Sequence, residues 1–272
     1  MDKLVLITGS TDGIGKYTAL DLMERGYKVI IHGPDKESCE ATVNELENQF
    51  PEGFVDYIVA DFTDVDAIKH MSDELHGKYD RLDILINNAG RVELNRVMVK
   101  GIEKTFMVNY LSHFYLTLLL LDLIQSPGRI IIVASNIHAA NIDFDNLQGE
   151  KSYDGKQAYK LSKLAFIYFM QELAERLKIK KITVNCVHPG IINTVLANTA
   201  WRVKGSHPSK GAKPVVYLAT SDEVSEETGQ YYKKDKKSSP KMITTDKENQ
   251  RKLWNISEEL LGIDAQKYFE IN

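Results

Sequence analysis

The sequence predicts an α/β protein built as a doubly wound parallel sheet with helices on both faces. Short runs of β-branched residues alternate with longer helical patterns along the chain, and sustained alternation is typical of parallel strands joined by crossover helices. Several runs are apolar without alternation, as expected of strands buried on both faces. No internal repeat or flexible mid-chain linker interrupts the 272 residues. We therefore expect a single domain.

Each predicted element follows from one of these two patterns. The predicted strands are residues 3–8, 28–32, 54–60, 82–87, 129–134, 182–187 and 230–232. The predicted helices are residues 14–25, 36–49, 65–78, 101–124, 159–177 and 208–220, with a last helix near 246–261. Before that last helix lies a lysine-rich segment formed by Lys233, Lys234, Lys236, Lys237 and Lys241. Such a segment is a solvated surface loop or a docking site for an acidic partner.

Composition excludes several classes of protein. The chain has 34 Lys and Arg against 38 Asp and Glu, a net charge of −4, which is unlike a general nucleic-acid binder. The two cysteines, Cys39 and Cys186, are too few for a disulfide framework and indicate a reducing compartment. The apolar run at residues 4–7 is too short for a signal peptide, and Asp122 interrupts the longest apolar stretch. We expect a cytoplasmic protein without a membrane anchor.

A glycine-rich turn follows the first predicted strand. Glycines at positions 9, 13 and 15 allow a sharp turn and a close approach of a pyrophosphate to the N-terminus of the first helix. The spacing differs from the G-x-G-x-x-G fingerprint, and a tight structural turn is the alternative. The position between strand and helix favours dinucleotide binding. The residues expected to bind there are Gly9, Ser10, Thr11, Asp12, Gly13, Ile14 and Gly15.

The end of the second strand bears on the choice between NADP and NAD. A carboxylate at this point accepts from the ribose 2′-hydroxyl of NAD, whereas a basic residue accommodates the 2′-phosphate of NADP. Here the chain reads His32-Gly33-Pro34-Asp35-Lys36, with no carboxylate directly after the strand. Lys36 and His32 are the candidate phosphate contacts, and Asp35 is a candidate N-cap. The residues favour NADP, with NAD as the alternative.

A Ser, Tyr and Lys constellation supplies a candidate proton donor. Tyr159 and Lys163 lie four residues apart in a helical pattern, so they share a helix face. A nearby ammonium lowers the pKa of a tyrosine, which can then exchange a proton with a carbonyl or alcohol oxygen. Ser135 directly follows a buried strand, at the sheet edge where open α/β folds bind ligands. Alone, a Tyr/Lys pair is usually an exposed surface pair, but here it occurs with the glycine-rich turn.

Three motifs together resemble the short-chain dehydrogenase/reductase family. They are T-G-x-x-x-G-x-G at residues 8–15, N-N-A-G at 87–90 and Y-x-x-x-K at 159–163, and the match covers essentially residues 3–232. The resemblance implies a Rossmann fold with a cofactor-binding half at about 1–134, a catalytic and substrate half at about 135–240 and a C-terminal helical extension at 241–272. It also implies hydride transfer between a nicotinamide and a carbonyl or alcohol carbon.

The resemblance assigns roles to individual residues. It implies that Tyr159 is the general acid/base, that Lys163 lowers its pKa and holds the nicotinamide ribose, and that Ser135 orients the substrate oxygen. Asn109 would hold a water of the proton relay. Asn88 and its neighbour Asn87 would lie beside the cofactor or simply tie strands together. The further cofactor contacts implied are Asp61, Phe62, Asn88, Ala89, Gly90, Pro189, Gly190, Ile192 and Thr194.

Within the family the chain is similar to the branch of retinol dehydrogenases and protochlorophyllide reductases. The similarity lies in residues 143–151, 188–190 and 253–254. That branch commonly uses NADP, although Pro34 replaces its basic residue after strand two. Its retinoid members usually carry an N-terminal membrane anchor, whereas the first strand begins here at Lys3. Family members often assemble through the long helices, so the resemblance implies a homo-oligomer through residues 110–124 and 159–177. The apolar run at 116–121 either serves that contact or belongs to the core.

The substrate pocket should come from the loops after strands four, five and six. Its mostly apolar candidates suggest a lipophilic small molecule. They are Arg91, Val92, Leu94, Ile137, His138, Tyr153, Leu196 and Trp201. No spacing of His or Cys suggests a metal site, and the segment 194–209 is short for a lid. A dinucleotide-binding regulator without chemistry is the alternative function, and a sugar-nucleotide epimerase would need a larger C-terminal region.

Overall fold

The computed structural model describes residues 2–202, 204–240 and 246–270. The strands are β1 (Leu4–Ile7), β2 (Lys28–Gly33), β3 (Val55–Val59), β4 (Leu82–Asn87), β5 (Met98–Val99), β6 (Ile102–Glu103), β7 (Ile124–Val133), β8 (Ile182–His188), β9 (Tyr231–Lys233) and β10 (Lys236–Ser238). The helices are α1 (Gly13–Glu24), α2 (Lys36–Gln49), α3 (Val65–Lys78), α4 (Lys104–Phe106), α5 (Ser112–Leu119), α6 (Gly155–Arg176), α7 (Val195–Trp201), α8 (Pro208–Thr220) and α9 (Lys247–Leu261). A π-helical turn, Met107–Leu111, joins α4 to α5.

The central sheet has eight strands in the order β10-β9-β8-β7-β4-β1-β2-β3. All neighbouring strands of this sheet are parallel except β9 and β10, which are antiparallel. The chain first builds β1, β2 and β3 outward and then returns past β1 to β4, so the winding direction reverses between β1 and β4. Ligands of such sheets bind at the carboxyl ends of the strands beside this reversal. The predicted doubly wound fold is confirmed.

Apolar side chains on the two faces of the sheet form two separate cores. One core packs α1, α2 and α8 against one face, with Leu22, Leu46 and Val215 fully buried. The other packs α3, α5, α6 and α9 against the opposite face, with Phe114 and Phe166 fully buried. Continuous apolar strands are therefore buried on both sides, as the sequence pattern predicted.

Several helices begin at a side chain that satisfies their free N–H groups. Asp35 accepts from Ser38 N at 2.8 Å to start α2, and Asp154 accepts from Gln157 N at 2.8 Å to start α6. Asp246 accepts from two amides at the start of α9. Such caps each contribute about 1 kcal/mol to helix stability. Because Asp154 fixes the start of α6, this helix begins at Gly155, before the predicted residue 159.

The predicted helix at 101–124 is wrong at both ends. Its first residues belong to the β5–β6 hairpin, whose turn holds Lys100 and Gly101 at positive φ. The Glu103 carboxylate then accepts from Thr105 N and Phe106 N, which starts the helix one turn later than predicted. The helix ends at Leu119, because β7 begins at Ile124, five residues before the predicted strand.

Two further elements lie where the sequence predicted loops. Residues Val195–Trp201 form α7, within the segment predicted to be too short for a lid. The lysine-rich segment forms β10 and the turn before it, so it is an edge hairpin and not a loop. Lysines on an edge strand discourage pairing with other chains. Lys241 of that segment lies outside the described residues.

The long helices are covered by the C-terminal segment. The Arg176 guanidinium of α6 lies 4.1 Å from the centre of the Trp254 ring in α9, and the Tyr110 hydroxyl shares a 2.7 Å hydrogen bond with Ser257. The run at residues 116–121 belongs to the apolar core: its leucines lie in the core or, in the case of Leu119, pack against it, and Thr117 is fully buried. Among the described residues, no helix combines the length and apolar character that crossing a bilayer requires.

Candidate active site

A cavity of about 380 Å³ lies at the carboxyl ends of β1, β4, β7 and β8. Most of the predicted site residues line it, although they come from distant parts of the chain. Those lining it are Gly9, Thr11, Asp12, Gly13, Ile14, His32, Asp61, Phe62, Asn88, Ala89, Gly90, Ser135, Tyr159, Lys163, Pro189, Gly190, Ile192 and Thr194. Five predicted site residues lie outside the lining of the cavity: Ser10, Gly15, Gly33, Lys36 and Asn109.

The glycine-rich turn has the shape that a pyrophosphate requires. Gly9 has φ +61°, and a Cβ on Gly15 would lie 2.2 Å from the Gly9 carbonyl oxygen, so neither position accepts a side chain without movement of the backbone. Asp12 is the N-cap residue of α1, yet its side chain makes no capping hydrogen bond. The first N–H groups of α1 are therefore available for a negatively charged ligand. These residues fit a dinucleotide.

His32 is a buried, neutral brace between the glycine-rich turn and β3. Its Nδ1 accepts from Gly9 N at 3.0 Å, so the proton is on Nε2, which donates to the Ala60 carbonyl at 3.1 Å. Its ring also packs on Phe62, with 4.3 Å between ring centres. Burial lowers the pKa of His32 to about 4. Because both ring nitrogens are engaged, His32 forms the wall of the cavity and has no donor left for a 2′-phosphate.

The residues after β2 surround the place where an adenosine ribose is expected. Pro34 lines the cavity. The Asp35 carboxylate instead caps α2, which is the N-cap role that the sequence predicted for it. The Lys36 side chain is 71% exposed and pairs with Glu40 at 3.4 Å, so it points along α2 toward solvent. No carboxylate from residues 33–36 thus reaches the cavity.

The N-N-A-G motif ties β4 to β1 beside the cavity. Asn88 Nδ2 donates to the carbonyls of Thr8 and Gly9 at 2.8 and 2.9 Å, and Asn87 Nδ2 donates to the Thr117 hydroxyl at 2.9 Å. The Thr8 hydroxyl accepts from the amides of Asn88 and Ala89. Asn87 is wholly buried and ties β4 to α5 through Thr117, and Asn88 both holds the turn and lines the cavity.

Tyr159 and Ser135 meet at the centre of the cavity. Tyr159 projects from α6, and Ser135 follows β7 by two residues. A hydrogen bond from Ser135 reaches the Tyr159 hydroxyl and lowers its pKa, but burial has the larger effect and raises the pKa of Tyr159 to about 12. Tyr159 is therefore protonated at neutral pH. In this state it can donate a proton to a substrate oxygen held by both hydroxyls.

Lys163 lies one helical turn from Tyr159 and is 4% exposed. Its Nζ donates to the Val133 carbonyl at 3.0 Å and lies 5.7 Å from the centre of the Tyr159 ring. Burial lowers the pKa of Lys163 to about 8. The ammonium is therefore charged at neutral pH, although close to its titration, and it places a positive charge beside the Tyr159 ring. The pKa of Tyr159 itself is shifted by burial and by Ser135.

Asn109 stands behind this group, in the π-helical turn. Its Oδ1 accepts from Arg91 N at 2.7 Å, and its Nδ2 donates to the Arg91 carbonyl at 2.9 Å and to the Ser162 hydroxyl at 3.0 Å. The amide thus joins the loop after β4 to α6. Its Oδ1 lies 3.3 Å from the point where a Gly90 Cβ would be. Single π turns are frequent at functional sites.

Helix α7 closes the cavity beside Tyr159. The ring of Trp201 packs edge-on against the Tyr159 ring, with 4.9 Å between ring centres, and Val92 and Ala200 complete a small apolar cluster. Of the predicted substrate residues, four line the cavity: Arg91, Ile137, Leu196 and Trp201.

The other predicted substrate residues lie elsewhere. The Tyr153 hydroxyl donates to Glu93 O at 2.9 Å and lines a separate cavity of about 200 Å³. The His138 ring bonds the Ala139 carbonyl at 2.8 Å, and Leu94 is 51% exposed. Tyr153 therefore joins its loop to Glu93 and Glu103, and His138 bonds within its own loop.

Two polar residues that the sequence argument missed line the cavity. Asn136 directly follows Ser135, and its Oδ1 is buried without a hydrogen-bond partner among the described residues. A buried amide oxygen without a partner is costly and is suited to accept a hydrogen bond from a ligand. His188 ends β8 before Pro189 and is 5% exposed. The sequence signal that could have identified them is their position, since Asn136 follows Ser135 and His188 precedes Pro189.

Comparisons with known proteins identify the family of this chain. A family model described as short chain dehydrogenase matches residues 3–204. Retinol dehydrogenase 13 from Homo sapiens is 36% identical over 284 aligned residues, covering 97% of this chain and 86% of that protein.

Two solved structures share the fold. A protein from Mycobacterium paratuberculosis, described as uncharacterized, superposes with a TM-score of 0.79 at 27% identity, over 96% of this chain and 94% of that one. A short chain dehydrogenase from Shigella flexneri, complexed with NADP, superposes with a TM-score of 0.71 at 22% identity, over 86% of this chain and 98% of that one. With three motifs, the fold and both sequence matches in agreement, the chain belongs to the short-chain dehydrogenase family, in the branch that contains the retinol dehydrogenases.

Proposed function

We propose that this protein is an NADP-dependent oxidoreductase that reduces the carbonyl group of a lipophilic small molecule, or oxidises the corresponding alcohol. The observation that carries the proposal is the convergence of Tyr159, Ser135 and Lys163 on one cavity that also contains the glycine-rich turn. A pyrophosphate site and a proton donor in one cavity are what hydride transfer to a carbonyl needs.

Tyr159 is the proposed general acid/base. A bound NADPH supplies the hydride for reduction of the carbonyl carbon. The Ser135 and Tyr159 hydroxyls bind the carbonyl oxygen, and Tyr159, protonated because its pKa is about 12, donates its proton as negative charge develops on that oxygen. The Lys163 ammonium stabilises the phenolate that remains. The protonated form of Tyr159 is the one that the reductive direction requires.

NADP is the proposed cofactor, with NAD as the alternative. The Asp35 carboxylate caps α2 and so does not reject a 2′-phosphate. The solved structure from Shigella flexneri carries NADP. The protein should bind NADPH more tightly than NADH in paired fluorescence titrations at one salt concentration and pH, and tighter binding of NADH would contradict the proposal.

The substrate is proposed to be lipophilic. Val92, Ala200, Leu196 and Trp201 give the cavity an apolar wall next to Tyr159, and burial of apolar surface is the main source of affinity in such a pocket. The relative from Homo sapiens is named for an isoprenoid alcohol, retinol. Aromatic and isoprenoid aldehydes are therefore the first compounds to test.

A cytoplasmic location and a homo-oligomer through the long helices stay predictions. Cys39 and Cys186 are both buried free thiols, which supports a reducing compartment. Helix α9 already covers part of α6, so any contact between copies would form around α9.

Tyr159→Phe tests the proposed reaction against the alternative of a regulator without chemistry. This variant keeps the ring that packs on Trp201 and removes only the hydroxyl, so NADPH affinity should be retained while turnover falls by about 100- to 10,000-fold. Tyr153→Phe is the matched control, because that hydroxyl bonds Glu93 outside the cavity. Undiminished turnover in Tyr159→Phe would refute the assignment, and wild-type NADPH binding without turnover of any carbonyl would favour the regulator.

A further inference from the structure

Arg91 is a cationic residue in the lining of the active-site cavity. It directly follows the N-N-A-G motif, and the next residue, Val92, shares an apolar cluster with Tyr159. Among the described residues of the lining, Lys163 is the only other Lys or Arg, and its ammonium lies beside the Tyr159 ring. Arg91 is therefore the cation of the cavity that the proposed proton transfer does not use.

The backbone of Arg91 is held in place by Asn109. The Asn109 Oδ1 accepts from Arg91 N at 2.7 Å, and its Nδ2 donates to the Arg91 carbonyl at 2.9 Å. The same amide donates to the Ser162 hydroxyl of α6, the helix that carries Tyr159. Arg91 thus has a fixed position relative to the proposed proton donor, as a residue that orients a ligand requires.

The guanidinium of Arg91 is paired at one nitrogen and unpaired at another. Its Nη2 forms an ion pair with the Glu93 carboxylate. Its Nε is buried and has no hydrogen-bond partner among the described residues. A buried donor without an acceptor is costly. The side chain as a whole is 41% exposed, so accessible surface remains where an acceptor from a ligand can bind.

The positive charge of Arg91 is only partly balanced by its surroundings. The Glu93 carboxylate is shared with Lys104, whose Nζ lies 3.3 Å from Oε1, so one negative charge faces two positive charges. The next carboxylate along the chain, Glu103, accepts from two amides at the start of α4 and lines the separate cavity. A net positive charge therefore remains beside the apolar wall.

We propose that the substrate carries a carboxylate in addition to the reacting carbonyl, and that Arg91 binds this carboxylate. A guanidinium offers several N–H groups in one plane, which match the two oxygens of a carboxylate. The carboxylates in the described lining, Asp12 and Asp61, lie in the glycine-rich turn and after β3, where the cofactor is proposed to bind. The inference rests on the proposed function and narrows its substrate class to lipophilic oxo acids, or hydroxy acids in the oxidative direction.

The test is the ratio of kcat/KM for an oxo acid to kcat/KM for its methyl ester, measured with NADPH. A series of ω-oxo fatty acids of increasing length samples the distance between the carbonyl and the carboxylate. The best acid should exceed its ester at least about tenfold, because hydrogen bonds between charged groups are the strong ones. Both rates come from one preparation, so a loss of folded protein lowers them alike and leaves the ratio unchanged.

Three variants assign the ratio to the guanidinium. Arg91→Gln should reduce the ratio to about one, and Arg91→Lys, which keeps the charge but loses the planar group, should give an intermediate value. Arg96→Gln is the matched control and should keep the wild-type ratio. Arg96 lies in the same stretch between β4 and β5, but it is exposed and its Nε donates to the Gln148 carbonyl at 2.9 Å, outside the cavity.

Two results with the oxo acids would overturn the assignment. They are a wild-type ratio near one at every chain length, and an acid preference that survives Arg91→Gln. A fall in NADPH affinity of Arg91→Gln that equals the fall in the ratio would also overturn it, because the guanidinium would then contact the cofactor.

Calorimetry with nonanoate, a carboxylate that cannot react, separates the site from the reaction. If nonanoate binds the NADPH complex of the wild type but not that of Arg91→Gln, and no oxo acid is turned over, the Arg91 site stands and the proposed function fails. If esters are turned over without any preference for acids, the function stands and the Arg91 site fails. If neither binding nor turnover occurs, both fail.

Discussion

The burial of His32 makes the stability of this protein depend on pH in a direction that can be tested. Both ring nitrogens are engaged, one by Gly9 N and the other by the Ala60 carbonyl, and the side chain is 2% exposed. Protonation would place a second N–H against the Gly9 amide, where an acceptor is needed. The folded state therefore holds His32 neutral, and burial lowers its pKa from 6.5 to about 4.

The sign and size of the effect follow from this shift. The unfolded chain binds a proton at His32 as the pH falls through 6.5, whereas the folded protein binds it only near pH 4, so stability is lost across this window. The contribution of His32 to that loss is about 2 kcal/mol near pH 5 and roughly 3 kcal/mol when protonation is complete. His113 is also buried, and its lowered pKa acts in the same direction.

The assay is urea unfolding near neutral pH and near pH 5, for the wild type and for His32→Asn. The variant should be less stable at neutral pH, because it loses the ring contact with Phe62, but it should lose about 2 kcal/mol less than the wild type on acidification. The exposed His70, changed to Gln, is the control and should behave as the wild type does. Equal losses on acidification in wild type and His32→Asn would refute the reasoning.

Three further predictions concern the cofactor turn, the α2 cap and the catalytic lysine. Gly15→Ala should weaken NADPH binding at least about tenfold, because its Cβ would lie 2.2 Å from a backbone oxygen. Gly77→Ala is the control and should leave binding unchanged, because a Cβ there would have nothing within 4 Å. Equal NADPH affinities of the two variants in titration would contradict this prediction. Asp35→Ala should cost about 1 kcal/mol of stability in urea unfolding and leave the NADPH-to-NADH affinity ratio unchanged, and a changed ratio would show that Asp35 reads the ribose. The reductive kcat/KM should fall as pH rises through about 8, where Lys163 loses its charge. This inflection should be absent from the residual rate of Lys163→Arg. A wild-type kcat/KM that stays level beyond that pH would exclude stabilisation of the Tyr159 phenolate by the Lys163 ammonium.

Much of the fold could be predicted because its signals are local. The buried strands are continuous apolar runs, and a side chain such as Asp35 marks the start of a helix within three residues of the amide it caps. The motif residues Gly9, Ser135 and Tyr159 could be placed on one cavity because the carboxyl ends of neighbouring parallel strands meet at one edge of the sheet.

The remaining features depend on contacts between residues distant in sequence. Glu103 starts a helix only because the hairpin before it turns the chain, and the helical periodicity of the region does not reveal that turn. His32 resembled a phosphate contact in sequence, but its partners are 23 and 28 residues away. Asn136 lines the cavity through its neighbour Ser135 and has no motif of its own.

The π-helical turn Met107–Leu111 interrupts a continuous helical segment. It changes the direction in which side chains project after the turn relative to those before it. Within the turn Asn109 contacts Arg91 and Ser162, and after it His113 reaches Thr8, at 3.0 Å, under the cofactor turn. Deleting one residue there would restore regular α-helix but rotate one half against the other by about 100°. Both contacts depend on the present length of the segment, so this stretch should tolerate substitutions far better than changes of length.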